Sequence, residues 1–174
     1  MKIIIPHFWF VKDAKQAAET YTSLFPNSQI TNISTIKDTP SGDCDIVNFT
    51  LFGKRFMAIG AGGPSAGGFH LNPSISLFVT FNTEEEIDKA WNTLSENGKI
   101  LMPYQSYSWA EKYGWLQDQH GLSWQLSLSK NHQMQDPITP MLMLTGKNAG
   151  KTKEAIEFYS EIFENSKTEM LVPY

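Results

Sequence analysis

Few side chains in this sequence combine a reactive type with a setting in which they could act. His7 and Trp9 alternate with Phe8 and Phe10 along an apolar segment, so they share one face of a strand. If that face lines a cavity, His7 can hydrogen-bond a ligand or exchange a proton near neutral pH. The competing reading is a histidine satisfied by a backbone carbonyl. A second concentration runs from Tyr104 to Trp115, where five aromatic residues fall within twelve. Aromatic walls with a few hydrogen-bonding groups suit a small organic ligand, which makes Tyr107 and Trp109 pocket candidates beside Trp9. The same aromatics could instead seal a core, since Trp9, Trp91 and Trp124 must also be buried somewhere. Asp118 and His120 in the run Asp118-Gln119-His120-Gly121 invite comparison with an acid–imidazole pair, but no Ser or Cys nucleophile stands at a fixed spacing, and Asp and Gly are ordinary turn residues. His120 in that turn and His70 after a glycine-rich stretch are expected to be solvated. Cys44 is expected in a loop, where flanking Asp43 and Asp45 make it a poor nucleophile.

The elements that must position these residues come from a chain of 174 residues that is 41% hydrophobic, 13% aromatic and 18% charged. That balance is globular. A net charge of −4 with no basic cluster argues against a nucleic-acid partner. No apolar run approaches the roughly 20 residues of a membrane helix, and no secretory signal is read at the N-terminus. The single cysteine cannot form an internal disulfide. A cytoplasmic protein is expected.

Ile3 to Val11 reads as a first strand. Asp13 is placed to cap a helix whose apolar face is Ala14, Ala17, Ala18, Tyr21, Leu24 and Phe25, before Pro26. Strands follow at Gln29 to Ile36, Asp45 to Phe52 and Arg55 to Gly60, the last two joined through Gly53 and Lys54. Residues 60–68 are rich in glycine but lead towards another strand, so a flexible linker fits better than a phosphate cradle. The order then returns: strand Ser74 to Phe81, a helix capped by Thr83 with an apolar stripe Ile87, Ala90, Trp91, Leu94 and closed by Gly98, and three more strands. Ala14, Ala17, Ala18 and Tyr21 map onto that stripe at an offset of 73, so the β-α-β-β-β unit is duplicated. A third copy opens at an offset of 134, with Ile138 to Leu144 repeating Ile4 to Phe10. Its helix follows at 138, with Tyr159 and Phe163 in the places of Tyr21 and Phe25. The expected division is a first module 1–60, a linker 61–73, a second module 74–130, a linker 131–137, and the incomplete start of a third module 138–174. Such a fragment has to dock in cis, exchange with another chain, or open a second domain.

The motif series Ile-Ile-Pro-His-Phe-Trp-Phe (4–10), Leu-Phe-Pro-Asn-Ser (24–28), Asn-Gly-Lys-Ile (97–100), Trp109-Ala110 and Gly-Trp-Leu-Gln-Asp-Gln-His-Gly-Leu-Ser-Trp-Gln (114–125) resembles the PhnB-like, demethylubiquinone methyltransferase-like family. That family lies within the vicinal oxygen chelate superfamily of glyoxalases, bleomycin-resistance proteins and dioxygenases. The resemblance implies an α+β fold of paired βαβββ modules with sheets curled around a shared cavity. It also implies dimers, since modules of the superfamily often pair across chains. Superfamily enzymes hold a divalent metal on His or Glu from the first and last strands of each module. Here those places carry His7, Met57 and Ile59, Ser74 and Ser76, and Gln125, whose uncharged amide is a weaker ligand than a carboxylate. No cofactor is therefore expected, and Gln125 joins His7, Trp9, Tyr107 and Trp109 as a ligand-binding candidate. His7 is the single weak catalytic candidate. The expected function is binding of a small organic molecule without a conventional metal site. The alternative is a metal-dependent isomerase, lyase or dioxygenase-type enzyme. Methyl transfer is disfavoured because the glycine stretch lacks the strand–turn–helix context of a nucleotide-type cofactor site.

Overall fold

The computed structural model describes residues 4–61, 71–129 and 136–171. It divides into two compact units, residues 1–141 and 142–174. In the first unit, β1 (His7–Phe10), α1 (Ala14–Leu24), β2 (Gln29–Thr39), β3 (Gly42–Leu51) and β4 (Lys54–Gly60) precede β5 (Ile75–Phe81), α2 (Glu84–Ser95), β6 (Lys99–Tyr107), β7 (Ala110–Gln117) and β8 (Ser123–Leu128). β9 (Ile138–Leu142) follows. One sheet has the order β1-β4-β3-β2 and the other β6-β7-β8-β5-β9. In each, the strand before the helix lies parallel to the last strand of its module, β1 on β4 and β5 on β8, while the remaining pairs within the modules are antiparallel. Neither sheet closes into a barrel, and the mixed α+β fold expected from the sequence is present. The linker segment 62–70 with His70, and residues 130–135, lie outside the described residues.

The core follows from the two helical stripes. Ala14, Ala17, Ala18 and Tyr21 of α1 and Ile87, Ala90, Trp91 and Leu94 of α2 are all buried. α1 packs on β2, β3 and β4 and also reaches the second module, with Phe25 against Phe81 and Trp124 and Tyr21 edge-on to Trp124 at 4.9 Å. The two modules thus share one apolar cluster through their helix-bearing sides. Full burial of a side chain of this size contributes about 1.5–3 kcal/mol.

Several local expectations need correction. Asp13 does not cap α1: its φ/ψ of −94°/24° is not the extended conformation a capping side chain needs, and its carboxylate turns towards His120 instead. Thr83 does cap α2, accepting from the Glu86 N–H at 3.3 Å and donating to the Glu86 carboxylate at 2.9 Å. The left-handed residue after α2 is Asn97, not Gly98. Gly98 is required for a different reason, because a Cβ there would stand 2.5 Å from the Gln117 carbonyl oxygen. The β3–β4 turn is Phe52-Gly53, both at positive φ, with Leu51 facing Lys54. That is the type I′ pattern, which matches the twist of the strands it joins. Cys44 lies in β3 rather than in a loop, buried, with its Sγ 3.1 Å from the Thr39 hydroxyl. Trp91 and Trp124 are buried as required, but Trp9 is 48% exposed.

The second unit holds a short 3₁₀ turn, Gly146–Asn148, and α3 (Thr152–Ile162). Tyr159, the repeat counterpart of the fully buried Tyr21, is 45% exposed, and Phe158, Ile162 and Phe163 are exposed with it. Among the described residues no helix is long and apolar enough to cross a membrane.

Candidate ligand-binding site

The β6–β7 hairpin carries the aromatic stretch. Tyr107 ends β6, Ser108 and Trp109 form the turn, and Ala110 pairs back onto Tyr107. Three rings gather there. Tyr107 stacks on Trp109 at 5.2 Å, and both meet the ring of Tyr113 edge-on, at 5.9 and 4.6 Å. Trp109 is 61% exposed, while Tyr113 is buried. The Tyr113 hydroxyl donates to Gln125 Oε1 at 2.7 Å, and Gln125 Nε2 donates to Ser76 Oγ at 2.8 Å and contacts Met141 Sδ at 3.1 Å. Both amide donors and the carbonyl oxygen of Gln125 are therefore engaged. Diagonal placement explains the reach: Gln125 lies opposite Trp115 on one side and Phe78 on the other, and its partners stand two residues away along each neighbouring strand.

Of the sequence candidates, the structure thus brings Tyr107, Trp109 and Gln125 onto one connected wall of the second sheet. His7 and Trp9 stand elsewhere, on the first sheet. They share one face of β1, as alternation requires, with Phe8 and Phe10 buried on the other. The wall also contains Tyr113, Ser76 and Met141, which the sequence did not single out as ligand-binding. Tyr113 could have been found by asking which β7 residues share the Gln125 face. Met141 is the offset-134 counterpart of His7, so the β9 strand presents a thioether where β1 presents an imidazole.

A separate buried group joins the modules. Asp118 Oδ2 accepts from the Tyr21 hydroxyl at 2.5 Å and Trp124 Nε1 at 2.8 Å, and Oδ1 accepts from the backbone N–H groups of His120 and Leu122 at 2.8 and 3.0 Å. Burial holds the Asp118 carboxyl above the usual carboxylate range, with the hydrogen bonds from Tyr21 and Trp124 pulling the other way. Burial also pushes the Tyr21 hydroxyl well up, reinforced by the Asp118 charge and hydrogen bond. His120 is not solvated: its side chain is 4% exposed, edge-on to Phe10 and Tyr21, with Nδ1 3.8 Å from an Asp13 carboxylate oxygen. Its Nε2 has no hydrogen-bond partner among the described residues. The carboxylate of Asp118 serves the turn and α1, so Asp118 and His120 form a clamp between modules. At the hairpin base, Asp88 is held below the usual carboxylate range by hydrogen bonds from Lys112, at 2.6 Å, and from Tyr104.

Among the described residues no three His, Cys, Asp or Glu side chains converge as a metal site would require. At the positions named for metal ligation, Met57 and Ile59 offer no oxygen or nitrogen donor, Gln125 is engaged by Tyr113 and Ser76, Ser74 is bonded to Asn72, and His7 is left as the one imidazole. This donor set does not fit a hard or borderline divalent ion.

Two four-strand βαβββ units with an aromatic, polar-tipped wall define a paired-module α+β protein. The model of the family described as 3-demethylubiquinone-9 3-methyltransferase matches residues 2–127, and the chain belongs to that family. The PhnB protein from Bacillus cereus is 39% identical, over 74% of this chain and 100% of its own, with a TM-score of 0.67. Protein PA1353 from Pseudomonas aeruginosa is 18% identical, over 74% of this chain and 98% of its own, and shares the fold with a TM-score of 0.63. No curated protein matches this chain.

Proposed function

We propose that this protein binds a small, largely apolar organic molecule against the Tyr107–Trp109–Tyr113 wall, without a metal ion, as a homodimer in the cytoplasm. The observation that supports this most is the pairing of a half-exposed aromatic surface with a fixed polar floor. Trp109 offers a stacking face, and Tyr113 is held by Gln125 so that its ring keeps one orientation. Preorganised aromatic area is what an apolar ligand needs, because little side-chain entropy is lost on binding. Dimerisation is supported by β1, which lies at the end of its sheet. The methyl transfer named in the family description gains no support from the fold. The sheets are largely antiparallel, and the next described element after the glycine-bearing segment is the strand β5, not a helix whose N-terminus could face a cofactor.

Titration with 2-naphthol, a neutral aromatic probe, followed by tryptophan fluorescence, tests the reading. Saturable binding that survives a chelator and weakens at least about tenfold in Trp109→Ala is expected. Binding that needs an added divalent ion, or that is unchanged in the variant, would refute it.

A further inference from the structure

We infer a second binding site, on the first sheet, built around Arg55 and suited to a monoanionic carboxylate; its row includes Met57 and His7, two of the places at which the resembled superfamily would hold its metal. Arg55 is the only arginine in the 174 residues. It lines a cavity of about 370 Å³ with Asn32, Asn48, Thr50, Met57 and Ile5 among its walls, within the size range of small-molecule sites.

Strand register explains why these side chains meet. Met57 of β4 lies opposite Asn48 of β3, which lies opposite Asn32 of β2, so the three form one row across the sheet, and Arg55 stands opposite Thr50 in the next row. Paired residues point to the same face, and residues two apart along a strand share it. Phe49 and Phe56, one residue out of step, are buried on the opposite side. His7 lies opposite Met57 on β1 and continues the row of Asn32 and Asn48.

What marks this row as a site is its unsatisfied chemistry. Among the described residues, neither the Arg55 guanidinium nor the side-chain amides of Asn32 and Asn48 have a hydrogen-bond or ion-pair partner, whereas the Gln125 amide on the other sheet is fully engaged. Among the described residues no carboxylate lines the cavity, and the one charged side chain there is positive in a chain of net charge −4. A guanidinium presents a planar fork that matches a carboxylate with two parallel hydrogen bonds, and neighbouring amides can donate further. One guanidinium balances one negative charge, which favours a carboxylate over a dianionic phosphate. Met57 and Ile5 supply apolar contact for the body of such a ligand.

A single arginine gives a single Nε–Hε resonance, so ¹⁵N NMR of the full chain reads this site without assignment. Titrated with benzoate at constant ionic strength, the Arg55 resonance and the Asn32 and Asn48 amide pairs are expected to shift saturably. Arg55→Gln should raise the benzoate dissociation constant about tenfold or more, as loss of a charge-assisted pair implies. Because Arg55 is exposed, the variant should keep the dispersed spectrum of the folded chain, and its 2-naphthol binding should be unchanged. Shifts that grow linearly with benzoate, affinity retained in Arg55→Gln, or inorganic phosphate binding more tightly than benzoate would each overturn the inference.

Discussion

The two sheets carry the same succession of elements but treat their polar side chains in opposite ways. On the second sheet, Gln125, Tyr113 and Ser76 satisfy one another, and Met141 closes over the amide. On the first, Asn32, Asn48 and Arg55 stand in register around a cavity and engage no other described side chain. A satisfied buried network fixes the shape of a wall, since leaving any member alone would cost the desolvation of a polar group. An unsatisfied row near solvent costs little and is available to a ligand. On the proposed readings, the second sheet would position aromatic contact and the first would serve polar recognition.

Breaking the clamp that holds the modules together should have the largest effect on both faces. Asp118→Ala strands the Tyr21 hydroxyl, the Trp124 N–H and two backbone N–H groups, and is expected to destabilise the protein by about 3 kcal/mol or more in denaturant unfolding. The clamp also has a pH signature. The folded-state carboxyl of Asp118 titrates above its unfolded value, so its contribution to stability is greatest below the usual carboxylate range. That contribution is lost as pH rises through the folded value. The stability gap between the natural protein and Asp118→Asn should therefore narrow as pH is raised from below that range. A gap that widens would contradict the buried, up-shifted carboxyl.

The comparison itself is sharpened by a pair of substitutions. Gln125→Leu leaves the Tyr113 hydroxyl and Ser76 without their partner and should cost about 2 kcal/mol. Asn48→Ala removes an amide with no partner among the described residues and should change stability by less than about 0.5 kcal/mol. Equal costs at the two positions would erase the distinction between a sealed and an open face.

Much of the architecture was legible because periodicity and duplication are properties of the sequence. The stripes Ala14, Ala17, Ala18, Tyr21 and Ile87, Ala90, Trp91, Leu94 are the buried faces of α1 and α2. What remained hidden depends on partners far along the chain. His120 reads as a turn residue, yet the turn packs against α1, 97 residues separating Tyr21 from Asp118, and the imidazole is buried. The repeat that marks Tyr159 as a copy of Tyr21 does not reveal its exposure, because burial requires strands to pack against. Tyr107 and Trp109 are named from residue type and Gln125 from its place in the resembled family, whereas Tyr113 is not named because its contact with Gln125 is diagonal across β7 and β8. Arg55 was missed for a similar reason: its neighbours Asn32, Asn48 and Thr50 come together only through strand register.

The most direct measurement is native mass spectrometry of the full chain purified without added metal, with and without a chelator. The account predicts a dimer that carries no divalent ion and retains a small organic adduct in both conditions. One divalent ion per chain, removed by the chelator together with any bound molecule, would contradict it and place the protein with metal-dependent chemistry.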